Sequence, residues 1–306
     1  MTGKNIKLEN TLNIFFKVLF LISFNLYAKD FSGQISACNQ ALDQANAARA
    51  VNLADAVLAQ DAQHIEALLC KGRAFEALGK NDDAEKTLML SVQHAKSGFE
   101  TVIASLVLGN FYKNHDNLAF ALTYYQKSLQ ASQQENNQKF IRIGLNLIGE
   151  TYYQQKEYQA ALKSYEEGAK LALNDNERAD SYERLATAYQ SMRMLDKAIE
   201  YQLKGTLMQK KAGTLDQYAE ASLVLGQLFT ENKDYPSAEK TYERLLQFSK
   251  DNGGDYYAAK TEIYLAQTKL AQGDQATANT LLQEASVIAD KIQANDLNVL
   301  IQNIKK

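Results

Sequence analysis

The stretch "GETYYQQKEYQAALKSYEEGAKLA", residues 149–172, decides the reading of this chain. Its tyrosines and small residues follow neither the alternation of a strand nor the single stripe of a surface helix. Gly149 is followed twelve residues later by Ala161, with Tyr152 three after the glycine and Tyr165 four after the alanine. The same spacing recurs outward in both directions. Cys38 precedes Ala50 by twelve, Gly72 precedes Ala84, Gly109 precedes Ala121, Ala186 precedes Ala198, Gly226 precedes Ala238 and Ala266 precedes Ala278. Successive alanines are separated by 34, 37, 40, 37, 40 and 40 residues. A bulky residue falls three after the small one at Phe75, Tyr112, Tyr152, Tyr189 and Phe229, and another four after the alanine at Leu88, Tyr125, Tyr165, Tyr242 and Leu282.

A self-similar period of this length requires one structural unit per repeat. Small residues let two helix backbones approach where they cross, and the aromatic fills the gap that opens one turn further along. Short polar connections lie inside the repeats, such as "GKND" at 79–82, "KNHDN" at 113–117, "QQKE" at 154–157 and "QGD" at 272–274. They leave room only for helical hairpins. Between repeats lie "KSG" at 96–98, "ENN" at 135–137, "NDN" at 174–176, "AGT" at 212–214 and "DNGG" at 251–254. The single proline, Pro236, falls at the start of a second helix, where its missing N–H costs nothing.

These residues resemble the tetratricopeptide repeat, a helix-turn-helix module marked by a small residue, an aromatic three later and an alanine at twelve. The resemblance covers about residues 31–292 in seven copies. It implies an all-α, right-handed superhelical solenoid, with residues 29–292 as the array and 293–306 as a C-terminal capping helix. Periods of 37–40 are similar to those of the family's long-repeat branch, found in adaptor proteins and peptide-sensing regulators. The extra residues predict helices lengthened by one or two turns beside the inter-repeat loops. The copies depart from the pattern at several points. Ala41 and Ala54 replace bulky residues in the first, Lys269 follows Ala266 in the last, and the fifth has Tyr201 one place before the expected aromatic, which is Gln202. Atypical end copies suit repeats that meet water on one side.

Composition agrees with this reading. The chain of 306 residues is 46% apolar, with one proline, no tryptophan and abundant helix formers. A net charge of -3 and the lack of a long basic run exclude the electrostatic footprint of a nucleic-acid binder. Lys4, Lys7 and Lys17 precede the apolar run "VLFLISFNLYA" (18–28), after which Lys29 and Asp30 turn the chain polar. That pattern predicts a signal peptide over 1–28, cleaved near Ala28, and a periplasmic or secreted product with no integral membrane span. "ISAC" at 35–38 resembles a lipoprotein cleavage box, but "KDFSGQ" separates it from the apolar run and Cys38 already holds a place in the repeat register. The two cysteines, Cys38 and Cys70, read as small buried thiols, with a disulfide between them the open alternative.

Function is expected on the face turned away from the helix pair. At 100° per residue, positions three before and one, four and five after each small residue share that face. The resemblance makes it the concave groove. The residue after each small one reads Asn39, Arg73, Asn110, Glu150, Thr187, Gln227 and Gln267, all polar, and Lys113, Tyr153, Glu183 and Gln190 join them. Amides donate and accept at once, so such a row can hold the backbone of an extended peptide; it also fits a merely solvated face. Arg73 and Lys113 lie early, whereas Glu150, Asp180, Glu183, Glu220 and Glu231 make the later part acidic, which suggests a ligand with a basic segment. The carboxylate clamp of some members of the family is not matched, since Leu69, Cys70, Leu106 and Val107 stand where polar donors are needed.

No catalytic or metal constellation is visible, and no cofactor is expected. His64 and His115 fall in turns and His94 late in a second helix. "GGD" at 253–255 is an inter-repeat turn without a phosphate-loop pattern. The leading reading is an exported, non-enzymatic scaffold for a peptide or protein partner. A self-associating structural protein and an accessory factor of an extracytoplasmic enzyme are the alternatives. The final "ANDLNVLIQNIKK" leaves room for one capping helix.

Overall fold

The computed structural model describes residues 30–304, so the signal-peptide expectation at 1–28 lies outside the described residues. Among those residues there are fifteen helices and no strand. They form two compact units, one ending at His94 and one beginning at Ala95.

The first unit holds α1 (Ser32–Asp43), α2 (Ala47–Leu58), α3 (Ile65–Ala77) and α4 (Asn81–His94). Its interior is built from small residues. Ala41, Ala47, Ala50, Ala54 and Ala74 cluster around Cys38 and Cys70, and all are buried. Gly72 lets Leu88 of α4 come close, since a Cβ there would lie 2.5 Å from Leu88 Cδ2. The expectation of two free thiols is corrected: Cys38 and Cys70 form a disulfide, with Cα atoms 6.4 Å apart, that ties α1 to α3. The two sites share the same packed seam between successive first helices, a proximity that the sequence spacing of 32 residues does not reveal.

The second unit holds the pairs α5 (Gly98–Asn114) and α6 (Leu118–Gln134), α7 (Gln138–Gln154) and α8 (Tyr158–Ala169), and α9 (Asp175–Ser191) and α10 (Leu195–Ala212). It continues with α11 (Leu215–Glu231) and α12 (Tyr235–Asp251), then α13 (Asp255–Gln272) and α14 (Gln275–Lys291), and ends in α15 (Asn295–Ile304). Most of these helices run 17 or 18 residues, against 12 to 14 in the first unit. The added length is where the 37 and 40 residue periods go, with the 12-residue α8 as the exception.

The turns follow elementary capping rules. Asp116, Lys156, Arg193 and Lys233 each take a left-handed conformation after a first helix, closing it before the next residue opens the second. Asn117 and Asp234 then accept from the backbone N–H three residues on. Ser97 with Glu100 and Thr214 with Gln217 form capping boxes at the starts of α5 and α11.

All seven alanines of the repeat register are fully buried. So are Leu88, Tyr125, Tyr165, Tyr242 and Leu282, whereas Tyr152, Tyr189 and Phe229, on the first helices, are half-buried. In the fifth copy the expected aromatic is the buried Gln202, whose Nε2 donates to the Ala221 carbonyl at 3.0 Å; Tyr201 stacks on Tyr189 instead. At the C-terminal end, Leu297 and Ile301 of α15 close a cluster with Ile263, Ala266 and Leu282. One carboxyl intrudes nearby: Glu262 is only 4% exposed, and its Oε2 has no hydrogen-bond partner.

Candidate functional site

The polar residues of the first helices are placed by the same geometry that buries the small ones. One residue beyond a small contact lies about 100° around the helix, so the side chain leaves the pair and meets the neighbouring first helix or solvent. In the first unit, Arg73 Nη1 donates to Asn39 Oδ1 at 3.3 Å, from α3 to α1.

In the second unit four of the predicted residues, Lys113, Glu150, Tyr153 and Gln190, bridge successive repeats. Lys113 Nζ lies 3.3 Å from Glu150 Oε1, and Arg184 reaches the other oxygen of Glu150 from the far side at 3.9 Å. Tyr153 Oη is 2.8 Å from Ser191 Oγ. Gln190 Nε2 donates to Glu231 Oε2 at 2.8 Å, and Arg193 donates to Oε1 of the same carboxylate at 2.6 Å. Asn110 is held within its own repeat, where its Oδ1 accepts from Tyr125 Oη at 2.7 Å. Thr187 is exposed with its hydroxyl on the Glu183 carbonyl; Gln227 is exposed and Gln267 half-buried. The structure therefore draws Lys113, Glu150, Tyr153 and Gln190 into a run of inter-repeat ties, and leaves Thr187 and Gln227 facing solvent.

The positions three before the small residue behave differently. Leu106, Asn146, Leu223 and Ile263 are buried. Glu183 stands at such a position and turns toward its partner helix, where Gln209 Nε2 of α10 donates to its Oε1 at 3.0 Å. Burial holds the Glu183 carboxyl above the usual range, against the Gln209 hydrogen bond and with the nearby charge of Asp180 adding to the rise.

Between α9 and α11 the first helices part over an open cleft of about 480 Å³ floored by α10. Asp180, Glu183 and Thr187 line one wall, Asp216 and Glu220 the other, and Gln202 lies at the base. The cleft opens where the bulky apolar residue found at Leu88, Tyr125, Tyr165, Tyr242 and Leu282 is replaced by glutamine, so the departure at Gln202 was the signal that could have located it. Cations that the groove pattern missed reach its acids from either side. Arg142 of α7 lies 3.3 Å from Glu177 and 3.7 Å from Asp180, and Lys260 of α13 donates to Glu220 at 2.5 Å. Asp180, Glu220 and Lys260 stand seven residues before Thr187, Gln227 and Gln267. Extending the polar stripe by two turns toward the helix N-termini finds them.

Such a surface offers hydrogen-bond donors, acceptors and partly compensated carboxylates over an extended path. Among the described residues no group of three or more His, Cys, Asp or Glu is placed to hold a metal ion. His64 caps α3 and accepts from the Ala67 N–H, His94 ends α4 and His115 ends α5. No helix among the described residues is long and apolar enough to cross a membrane.

Family models described as tetratricopeptide repeat match residues 39–98, 144–175 and 179–211. The chain is 22% identical over 190 residues to outer dynein arm-docking complex subunit 4 of Mus musculus, a match that covers 61% of this chain and 30% of that protein. It thus spans under a third of that relative's length. Among solved structures, the C-terminal part of a TPR repeat-containing protein from Cytophaga hutchinsonii superposes with a TM-score of 0.62 at 14% identity, covering 83% of this chain and 95% of that one. A signal transduction ATPase with numerous domains and a tetratricopeptide repeat sensor, from Pyrococcus horikoshii, gives 0.69 at 17% identity, covering 88% of this chain and 44% of that one. The apo form of RapI gives 0.65 at 12% identity, covering 93% and 94%. These likenesses concern the fold.

Proposed function

We propose that this chain, which belongs to the tetratricopeptide repeat superfamily, is an exported, non-enzymatic scaffold whose first-helix face holds an extended segment of a partner protein. Tetratricopeptide repeats mediate contacts between proteins. The observation that carries the finer reading is the open cleft between α9 and α11, flanked by the exposed Thr187 and Gln227. Side chains there can exchange an inter-repeat hydrogen bond for one to a peptide backbone at little net cost. Asp180, Glu183, Asp216 and Glu220 favour a segment that carries basic residues.

Export is supported by the lysine-flanked apolar run at 18–28 and by the Cys38–Cys70 disulfide, a bond that persists in oxidising compartments. Mass analysis of the chain recovered from each cell fraction tests this; an intact N-terminus in the cytoplasm overturns it. The binding reading is tested by placing a photoreactive residue at Gln227, illuminating the cells and identifying the adduct by mass spectrometry. The same residue at Glu167, exposed on α8, is the control. A partner captured from Gln227 and absent from Glu167 is the expected result; equal capture, or none, contradicts it.

A further inference from the structure

A second cleft, of about 260 Å³, lies on the other side of α11, between α10 and α12. We propose that it is a separate docking site, and that its occupant is an acidic, amphipathic segment of a partner protein.

One edge of this cleft is apolar. Leu203 and Leu207, one turn apart in the middle of α10, are 43% and 52% exposed and form one edge, with Leu225 and Phe229 of α11 beneath them. Two large aliphatic side chains left in water at helical spacing offer a partner helix or turn an apolar contact. The charge is equally one-sided. Lys210 of α10 and Lys240 and Arg244 of α12 line the cleft, no carboxylate among the described residues does, and none of the three cations has an ion pair among the described residues. Elsewhere in the same unit Lys113, Arg142, Arg184, Lys260 and Lys269 are each paired with a carboxylate. Helix α11 therefore separates a cleft lined by four carboxylates and no cation from one lined by three cations and no carboxylate.

Three unpaired cations around an apolar floor, in a chain of net charge -3, select carboxylates flanking one or two large apolar side chains. Residues 1–28, with three lysines and a single acid, Glu9, have the wrong sign to occupy it, as does the Lys305–Lys306 pair. A second copy is a poor fit as well, because its carboxylate-rich cleft is itself a recess whose apolar lining is only Ala221 and Val224, with no leucine- or phenylalanine-sized side chain to fill a leucine-edged groove.

Selection of displayed random dodecapeptides on the full chain tests the proposal. Enriched peptides should carry Asp or Glu beside Leu, Ile or Phe. They should bind the K240E/R244E variant at least tenfold more weakly and lose affinity with rising salt, while Lys163→Glu on α8 changes nothing. All these positions are exposed, so the folds should survive; a matched thermal melt checks this, and K210Q/K240Q serves as the milder second variant. Enrichment of basic or neutral peptides, no enrichment, or equal binding to both charge variants overturns the proposal. Co-sedimentation with phosphatidylglycerol vesicles that depends on Lys240 and Arg244, without peptide binding, would assign the cleft to a membrane surface and overturn it too.

Discussion

Tyr165 of α8 lies across Gly149 of α7 so closely that a Cβ on the glycine would stand 2.6 Å from the ring's Cε1 and 3.2 Å from the Ala161 carbonyl oxygen. The glycine is there for contact, since its backbone is ordinary helix. Gly149→Ala gains about 1 kcal/mol of helix propensity but overpacks the crossing by about 1–3 kcal/mol, and is expected to be destabilising on balance. Tyr165→Ala, which empties a fully buried site, should cost about 3–5 kcal/mol, and the half-buried Tyr152 should cost less. Chemical denaturation of the three variants checks the order.

The disulfide stabilises an interior made mostly of alanine, where little large apolar surface is available. Closing a loop of 32 residues should contribute about 3–4 kcal/mol, chiefly by restricting the unfolded chain. Reductant, or the Cys38→Ser/Cys70→Ser double variant, is expected to expose residues 30–94 to proteolysis at a lower temperature than residues 95–304. Identical protection with and without the bond would contradict this.

Glu262 gives the second unit a pH dependence. Burial, with Glu284 adding to it and Lys250 opposing, pushes its carboxyl up to about 7 from 4.5. A carboxyl that holds its proton more tightly when folded stabilises the fold at low pH and loses that contribution as pH rises, here between about 4.5 and 7. Thermal melts should therefore show falling stability from pH 5 to pH 8, by up to about 3 kcal/mol. Glu262→Gln should flatten the profile and raise stability at pH 8. A flat profile in the parent chain would contradict the assignment.

The ties between repeats are expected to be weak individually. Glu231 accepts from both Gln190 and Arg193, yet Arg193 is 81% exposed, and exposed pairs contribute about 0–1 kcal/mol. Glu231→Gln should lower stability by no more than that, measured by denaturant titration. Weak ties are what a binding face requires, because a ligand must replace them.

The fold was legible because burial imposes a strict register. A small residue at a crossing and an alanine twelve on cannot both shift without losing contact, so Cys38, Gly72, Gly109, Gly149, Ala186, Gly226 and Ala266 could be read in order. The disulfide was not, since spacing alone does not show that Cys38 and Cys70 meet across a seam. Groove residues were legible only as a face. The pattern told which way Lys113, Glu150 and Gln190 point but not that they would meet each other, because the offset between successive first helices is set by packing rather than by periodicity. The cationic cleft was missed altogether: Leu203, Leu207, Lys240 and Arg244 lie on second helices, where the amphipathic pattern reads as ordinary outer surface.

Hydrogen exchange of the chain with and without the partner captured from Gln227 tests the central claim most directly. Binding along the first-helix face predicts added protection in α9 and α11, around Thr187 and Gln227, and faster exchange nowhere in the helix pairs. Protection confined to α10 and α12, or to neither set, would contradict it.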